Sequence, residues 1–504
     1  MSHYLTKLLS TASTISLLLS WPGLANAEDY YRKTLGYRVE PETDPPSYVR
    51  NLSKTQFEQF RDVEWLDVGL EHRTRYEYRE NDYRPTPTGN NSSTDFRPDP
   101  DNLWLLRTRA YLGVHDILDP LRFAVEFQDS RSYNGLYERN VSDVNEFELI
   151  QGYAELYFKD LLGHNRPLSI RAGRQHLELL DRRLIGNNQF RNTTNNFEGF
   201  RVRFGKKQND WDLDTFAFQP IERLKYDFDR PDEDTWIYGG VLSLKQWSDY
   251  ITIQPYFIGR KQNGDPTNPV SANRKPDLDI YAPGLRVYGL IGESGFDFDA
   301  DINKQFGRSG VIDKKTGLQV MQQHDALAYS LELGYTFDLS WKPRASLYYG
   351  YGTGDKNSSD SANQRFDSFY GFNQPWSRND YFSWDNIITP KARIEFTPYK
   401  DVRVDAGYNA FLLQSETDGW NRANLKDKSG KSGSFLGHEF DVRMRHKLNP
   451  YVDWSLSYAR FEPGSFTRSF NDPVDGPFTD RASNFFFFEV SLNAFGDGKP
   501  SYKK

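Results

Sequence analysis

The chain has 504 residues, with 63 basic against 70 acidic side chains, a formal net charge of −7, an aromatic share of 15% and no cysteine. The missing cysteine excludes a disulfide framework, a Cys-ligated metal cluster and a thiol nucleophile, and the acidic balance argues against a general nucleic-acid binder. So aromatic a chain is not disordered. At 37% hydrophobic residues it is not a helical membrane protein either, which leaves a large soluble β-protein or an outer-membrane barrel with a polar interior.

Residues 1–27 read as a signal peptide. Lys7 supplies a weak positive start, Leu8 to Leu24 an apolar stretch, and Ala25-Asn26-Ala27 the small-x-small cleavage pattern. Residues 28–62 do not alternate; with Pro41, Pro45 and Pro46 they read as a periplasmic N-terminal extension holding a short helix at 53–60. The segment is too short for a plug domain.

From Val63 to Phe495 the chain runs in alternating stretches. In 66–79 one face carries Leu66, Val68, Leu70, His72, Thr74, Tyr76 and Tyr78, and the other Asp67, Gly69, Glu71, Arg73, Arg75, Glu77 and Arg79. A period of two is that of a strand; a helix would space its apolar residues by three and four. Eighteen such runs are counted, from 63–80 to 482–495, and sixteen strands are the other count the pattern allows. The gaps alternate in length. Asp119-Pro120, Trp247 to Asp249, Gly292 to Gly295, Pro398 to Lys400 and Asn449-Pro450 are short, whereas 81–101, 261–277, 306–322, 353–385, 416–433 and 463–481 are long and polar. Aromatic residues gather at the short-turn rim: Trp65, Phe158, Trp211, Trp247, Trp341, Tyr399 and Tyr451. The expected fold is therefore all-β: a single transmembrane antiparallel barrel at 63–495 with short periplasmic turns, long extracellular loops and a tail at 496–504. A soluble sandwich also alternates, but nothing forces its loops to alternate in length. A propeller would show a fixed repeat, and none is present.

A charge on the lipid face costs about 2–4 kcal/mol near the midplane, so the ionic face must turn inward. This puts Arg73, Arg75, Arg107, Arg109, Arg171, Arg174, Arg201, Arg203, Arg286, Arg393, Arg403, Arg443 and Arg445 in the lumen as a candidate substrate path. Acids such as Glu71, Glu77, Glu155, Asp297, Asp299, Asp301, Asp405, Glu439 and Asp441 share it. Arginine suits bidentate binding of carboxylates. The same residues could instead bridge across a filled lumen.

Three patches carry a family resemblance. SIRAGRQHLELLDRRLIGNNQFRNTTNNFEGFRVR at 169–203, YGYGTGDKNSSDSANQRFDSFYGFNQPWSRNDYFSWD at 349–385 and LLRTRAYLGVHDILDPLRFAVEFQDSR at 105–131 resemble the alginate export family of outer-membrane barrels. The resemblance implies eighteen strands, a monomer, and passage of an anionic uronate polysaccharide through an electropositive lumen. It carries over Arg174 and Gln175, then Asp181, Arg183 and Gly186, then Gly199 and Arg201. The loop 177–196 is a candidate constriction pinned by Asp181 with Arg182 or Arg183, with an ordinary external loop as the alternative. Two features depart from the pattern: the last strand ends at Phe495 with GDGKPSYKK behind it, and the lumen charge is mixed.

Other motifs carry less. Gly350, Gly352, Gly354 and Asp355 end a strand and lack the helix of a phosphate loop, and no HExxH or GxSxG is present. No enzymatic activity, cofactor or metal is expected. The expectation is an outer-membrane channel of a Gram-negative bacterium passing an alginate-like polymer or oligomer, with a general or small-solute porin as the alternative. Its partners would be outer-membrane lipid, the acidic polysaccharide and periplasmic export proteins, and not nucleic acid.

Overall fold

The computed structural model describes residues 43–85, 96–245, 247–264, 276–312, 319–471 and 479–497. The expected signal peptide and most of the C-terminal tail lie outside them. A short strand β1 (Val49–Asn51) precedes the barrel. The barrel then runs through β2 (Leu66–Glu80), β3 (Asp101–Leu118), β4 (Leu121–Tyr133), β5 (Asn145–Phe158), β6 (Leu168–Gln175) and β7 (Phe197–Phe204). It continues with β8 (Trp211–Glu222), β9 (Thr235–Leu244), β10 (Ile251–Gln262), β11 (Leu278–Leu290), β12 (Phe296–Ile312) and β13 (Gln319–Thr336). It ends with β14 (Arg344–Gly352), β15 (Ile387–Tyr399), β16 (Val402–Leu412), β17 (Phe435–Asn449), β18 (Val452–Pro463) and β19 (Ser483–Asn493). Each strand pairs antiparallel with the next, and β19 closes on β2 from Glu71↔Asn493 to Glu80↔Asn484. Closure leaves no free edge, which a membrane demands because lipid cannot satisfy backbone polar groups.

The alternation is realised as read. Leu70, Leu112, Phe123, Ile170, Phe200, Leu285, Leu331, Leu347, Ile394 and Phe440 are large apolar side chains exposed on the outer face. Their ionic neighbours are buried on the inner face. At the short-turn rim Trp65, Trp247, Trp341, Tyr399 and Tyr451 are exposed, and Phe158 and Trp211 half-buried, as in an interfacial girdle.

Two expectations change. The gap at 306–322 is mostly strand, because β12 and β13 pair continuously from Phe296↔Tyr335 to Ile312↔Gln319. Strands of 17 and 18 residues, at about 3.3 Å per residue, outrun the ~25 Å apolar band; this hairpin projects beyond the membrane. The helix at 53–60 is two single 3-10 turns, Leu52–Lys54 and Glu58–Phe60. The described part of the N-terminal extension packs on the barrel: β1 pairs with Asp67, Val68 and Gly69 of β2, just below where β19 stops.

Candidate functional site

The arginines singled out from the sequence turn inward except Arg174, and the structure shows what each one holds. Arg174 stands three residues after the inward Arg171 and so falls on the opposite face with the exposed Ile170, directly across from Glu198. Arg107 pairs with Glu71 at 2.8 Å, Arg286 with Asp299 at 2.6 Å, Arg201 with Asp214 at 2.5 Å and Arg403 with Glu395 at 3.0 Å. Arg174 lies 2.7 Å from Glu148 and 3.2 Å from Glu198, and Arg109 donates to Gln128 at 3.0 Å. Arg393, Arg443 and Arg445 converge on Asp405 at 3.2, 3.5 and 3.1 Å. Cross-strand register explains these matches. Arg443 stands directly opposite Asp405. Arg107 stands opposite Arg73, Arg286 opposite Asp301 and Arg201 opposite Phe216, so that each reaches its acid diagonally, a distance long side chains span. The run Asp297-Asp299-Asp301 finds its partners within the wall. Arg344 takes Asp297, Arg286 takes Asp299, and the Tyr256 hydroxyl donates to Asp301 at 2.7 Å.

Arg73, Arg75 and Arg107 also grip the loop 177–196, which folds into the lumen. Arg73 donates to the carbonyls of Gln189 and Arg191 at 2.8 and 2.9 Å, Arg107 to that of Gln189 at 3.2 Å, and Arg75 to that of Phe190. The loop turns in because Leu177, Leu179, Leu184 and Ile185 would otherwise face water; all are buried. Asp181 pairs with Arg183. The Arg183 guanidinium lies 5.0 Å from the Tyr348 ring, and that of Arg182 5.3 Å from the Phe372 ring.

A second loop, between β14 and β15, meets the first. Ile185 bridges to Tyr370, and Phe366, Phe372, Trp376, Tyr381, Phe382 and Trp384 are buried. The loop is held from the wall. Glu439 accepts from Ser377 Oγ, Arg378 N and Asn379 Nδ2 at 2.6, 2.7 and 2.8 Å. Lys391 Nζ donates to the carbonyls of Pro375 and Trp376 at 2.7 and 2.6 Å. The sequence reading took 353–385 as an external polar loop; its density of aromatic residues was the available sign that it packs inside.

Above the two loops, on the long-loop side, lies a cavity of about 300 Å³. Six arginines line it (Arg75, Arg79, Arg84, Arg97, Arg191 and Arg422) against three acids, Glu77, Asp143 and Asp380. Asp82 sits behind, 2.7 Å from Arg84 and 4.0 Å from Arg97. Burial works against the charge of Asp380, but Arg191, Arg422 and Arg84 outweigh it and hold the carboxyl at about 2. Burial wins at Asp143 and pushes its carboxyl up, against Arg84 and Arg139. Burial likewise lowers Arg97 and Arg422. Of these arginines only Arg75 was among the sequence candidates. Arg79 continues the Arg73, Arg75 face and was legible; Arg84 and Arg97 come from the loop between β2 and β3, Arg191 from that between β6 and β7, and Arg422 from that between β16 and β17.

At the opposite, short-turn end, Arg171 and Arg203 share two carboxylates. Glu155 lies 3.2 and 3.4 Å from them, and Asp44 of the N-terminal segment 3.0 and 2.9 Å. Burial opposes the Asp44 charge, yet Arg171, Arg203 and Arg201 hold its carboxyl well below the usual range.

A family model described as alginate export matches residues 64–475. The chain belongs to the alginate export family. No curated relative matches this alginate export family member. Among solved structures it is similar to OpdK of Pseudomonas aeruginosa, solved with vanillate, with a TM-score of 0.54 at 10% identity over 84% of this chain and 98% of that one. OccAB1 of Acinetobacter baumannii gives 0.52 at 10% identity over 88% and 99%. OccD3 (OpdP) of Pseudomonas aeruginosa gives 0.51 at 14% identity over 94% and 100%. At such identities the likeness is one of fold. Family and fold together make the protein an outer-membrane channel-type barrel.

Proposed function

We propose that the protein passes an anionic sugar, an alginate-like uronate oligomer or polymer, across the outer membrane of a Gram-negative cell without chemistry. The observation that carries this reading is the arginine-rich lining of the upper cavity, where six arginines stand beside three acids, with Asp82 and Glu489 paired to them from behind. Guanidinium groups bind carboxylates in a planar, bidentate way. Interspersed acids weaken each contact, so that a solute can enter and still leave. The channel would work as a single chain, with periplasmic export proteins as candidate suppliers of polymer.

One observation favours the narrower alternative, a porin for small solutes. Two loops fill the middle of the lumen, and a cavity of about 300 Å³ stands at the small end of ligand pockets, which span about 300–1,000 Å³. A polymer needs those loops to move; a monomer or short oligomer needs less.

Ion current through the refolded protein in a planar bilayer tests both. Uronate oligomers are titrated against neutral oligomers of equal length. Block by the charged series alone, weakened in Arg191→Glu/Arg422→Glu, supports the uronate channel. Block by single uronates with no gain on lengthening favours the small-solute porin. Block by neither series removes the anionic-sugar reading.

A further inference from the structure

The short-turn end of the lumen contains an arginine site whose ligand is part of the chain. Three guanidiniums on neighbouring strands, Arg171 on β6 with Arg201 and Arg203 on β7, stand together, Arg171 directly opposite Arg201. Among the described residues the wall supplies two carboxylates for them, Glu155 and Asp214. The third comes from the N-terminal segment: Asp44 Oδ2 lies 3.0 Å from Arg171 Nη1 and 2.9 Å from Arg203 Nη1. Without Asp44 the cluster keeps an unbalanced positive charge.

The segment is built to deliver that one carboxylate. Pro45 and Pro46 follow it, and the Pro46 carbonyl accepts from Val49 N at 2.9 Å, which turns the chain into β1. There Tyr48 is buried against Val49, Tyr111, Ala124 and Tyr153, and its hydroxyl donates to Glu126 at 2.5 Å. The anchor is thus behind Asp44 and buried. Asp44 itself remains open to the lumen, its side chain 30% exposed and that of Arg203 29%. A solute carboxylate can reach Arg203 directly, and Arg171, 5% exposed, once Asp44 moves aside.

We propose that Arg171 and Arg203 form a carboxylate-binding site at the periplasmic mouth, and that Asp44 occupies it as an internal ligand that a transported carboxylate displaces. The site's ligand class, a uronate carboxylate, rests on the proposed function; the internal occupancy does not. Asp44 stands where a sugar acid would bind, so it lowers both anion preference and affinity at this mouth. Once displaced, the segment stays tethered through β1 and returns when the solute leaves.

The test compares the full-length protein with Asp44→Asn, which keeps shape and removes charge, and with Asp214→Asn, which removes the wall carboxylate that holds Arg201 of the same cluster but pairs with neither Arg171 nor Arg203. Reversal potentials in a KCl gradient read ion preference, and glucuronate added from the short-turn side, with glucose as control, reads the site. Asp44 lies outside the barrel strands, so its variant folds, as circular dichroism will verify. We expect Asp44→Asn to shift the potential toward chloride and to tighten glucuronate block about tenfold, the size of one lost charge-assisted contact. Glucose should have no effect, and Asp214→Asn should change block less. Wild-type potential and block in Asp44→Asn would overturn the proposal. So would equal effects from the two variants, which would make Asp44 one lumen charge among many. If glucuronate blocks none of the three proteins, the anionic-sugar reading falls, and the reversal potential still decides whether Asp44 holds the arginines.

Discussion

Arg75 of the barrel wall holds Phe190 of the inward loop twice: its guanidinium donates to the Phe190 carbonyl and lies 4.4 Å from the centroid of the Phe190 ring. The same group pairs with Glu77 at 3.0 Å and Glu489 at 2.9 Å. It therefore balances buried acids and fastens the constriction together. Arg75→Ala should cost about 3 kcal/mol, toward the lower end for breaking a buried ion pair, because Arg79 and Arg73 still face the two acids. Single-channel recording should show a larger and noisier conductance. An unchanged trace would mean that the loop is held by its other contacts alone.

Glu439 does the corresponding work for the second loop, accepting four hydrogen bonds from residues 377–379. Hydrogen bonds to a charged group contribute about 1.5–3 kcal/mol each, so Glu439→Ala should undock the loop. Trp376 and Trp384, 1% and 0% exposed, would then reach solvent. Acrylamide should quench a larger share of the tryptophan emission than in the wild type.

Acid should change the charge of the upper cavity first at Asp143. Burial raises its carboxyl and Glu77 adds to the rise, while Arg84, Arg139 and Arg97 oppose it. A raised carboxyl favours the fold below its ordinary value of about 3.9, and that contribution is lost as pH rises through the raised value. Asp380, held at about 2, stays ionised over the same range, and so does Asp44, held lower by its arginines. Protonating Asp143 removes one negative charge beside six arginines. Anion preference should therefore grow as pH falls from neutral toward the carboxylate range, and reversal potentials of Asp143→Asn should lose that dependence.

Gly69 leaves room for the N-terminal anchor. A Cβ there would lie 2.8 Å from the Tyr48 ring and 2.9 Å from Val49. Gly69→Leu should expel Tyr48 and with it Asp44, while β2 keeps its pairing to β3. The variant should reproduce the chloride shift of Asp44→Asn without touching a charged residue. Limited proteolysis should cut the released segment faster than in the wild type.

The strands were legible along the chain. The run at 146–159 became Asn145–Phe158, and that at 400–415 became Val402–Leu412. Lipid imposes this legibility: every second side chain must be apolar, and a charge facing outward is costly. The same rule places Arg73, Arg201 and Arg443 inside. It failed at 306–322, where polar residues continue as strand because the hairpin stands in water and the lipid constraint no longer applies.

What the arginines do was settled only in three dimensions. Arg73 meets the carbonyl of Gln189, Arg171 meets Asp44, and Arg378 meets Asp405 and Asp441. Alternation assigns a side chain to a face, but it is silent on which distant segment arrives at that face. The inward course of the loops follows from the need to bury Leu184, Ile185, Trp376 and Trp384 together, a need no single stretch expresses alone. The sequence by itself therefore determined a barrel with an ionic interior. Tertiary packing decided which of those charges hold the loops and the N-terminal segment and which surround a cavity, because ion pairing depends on distance in space.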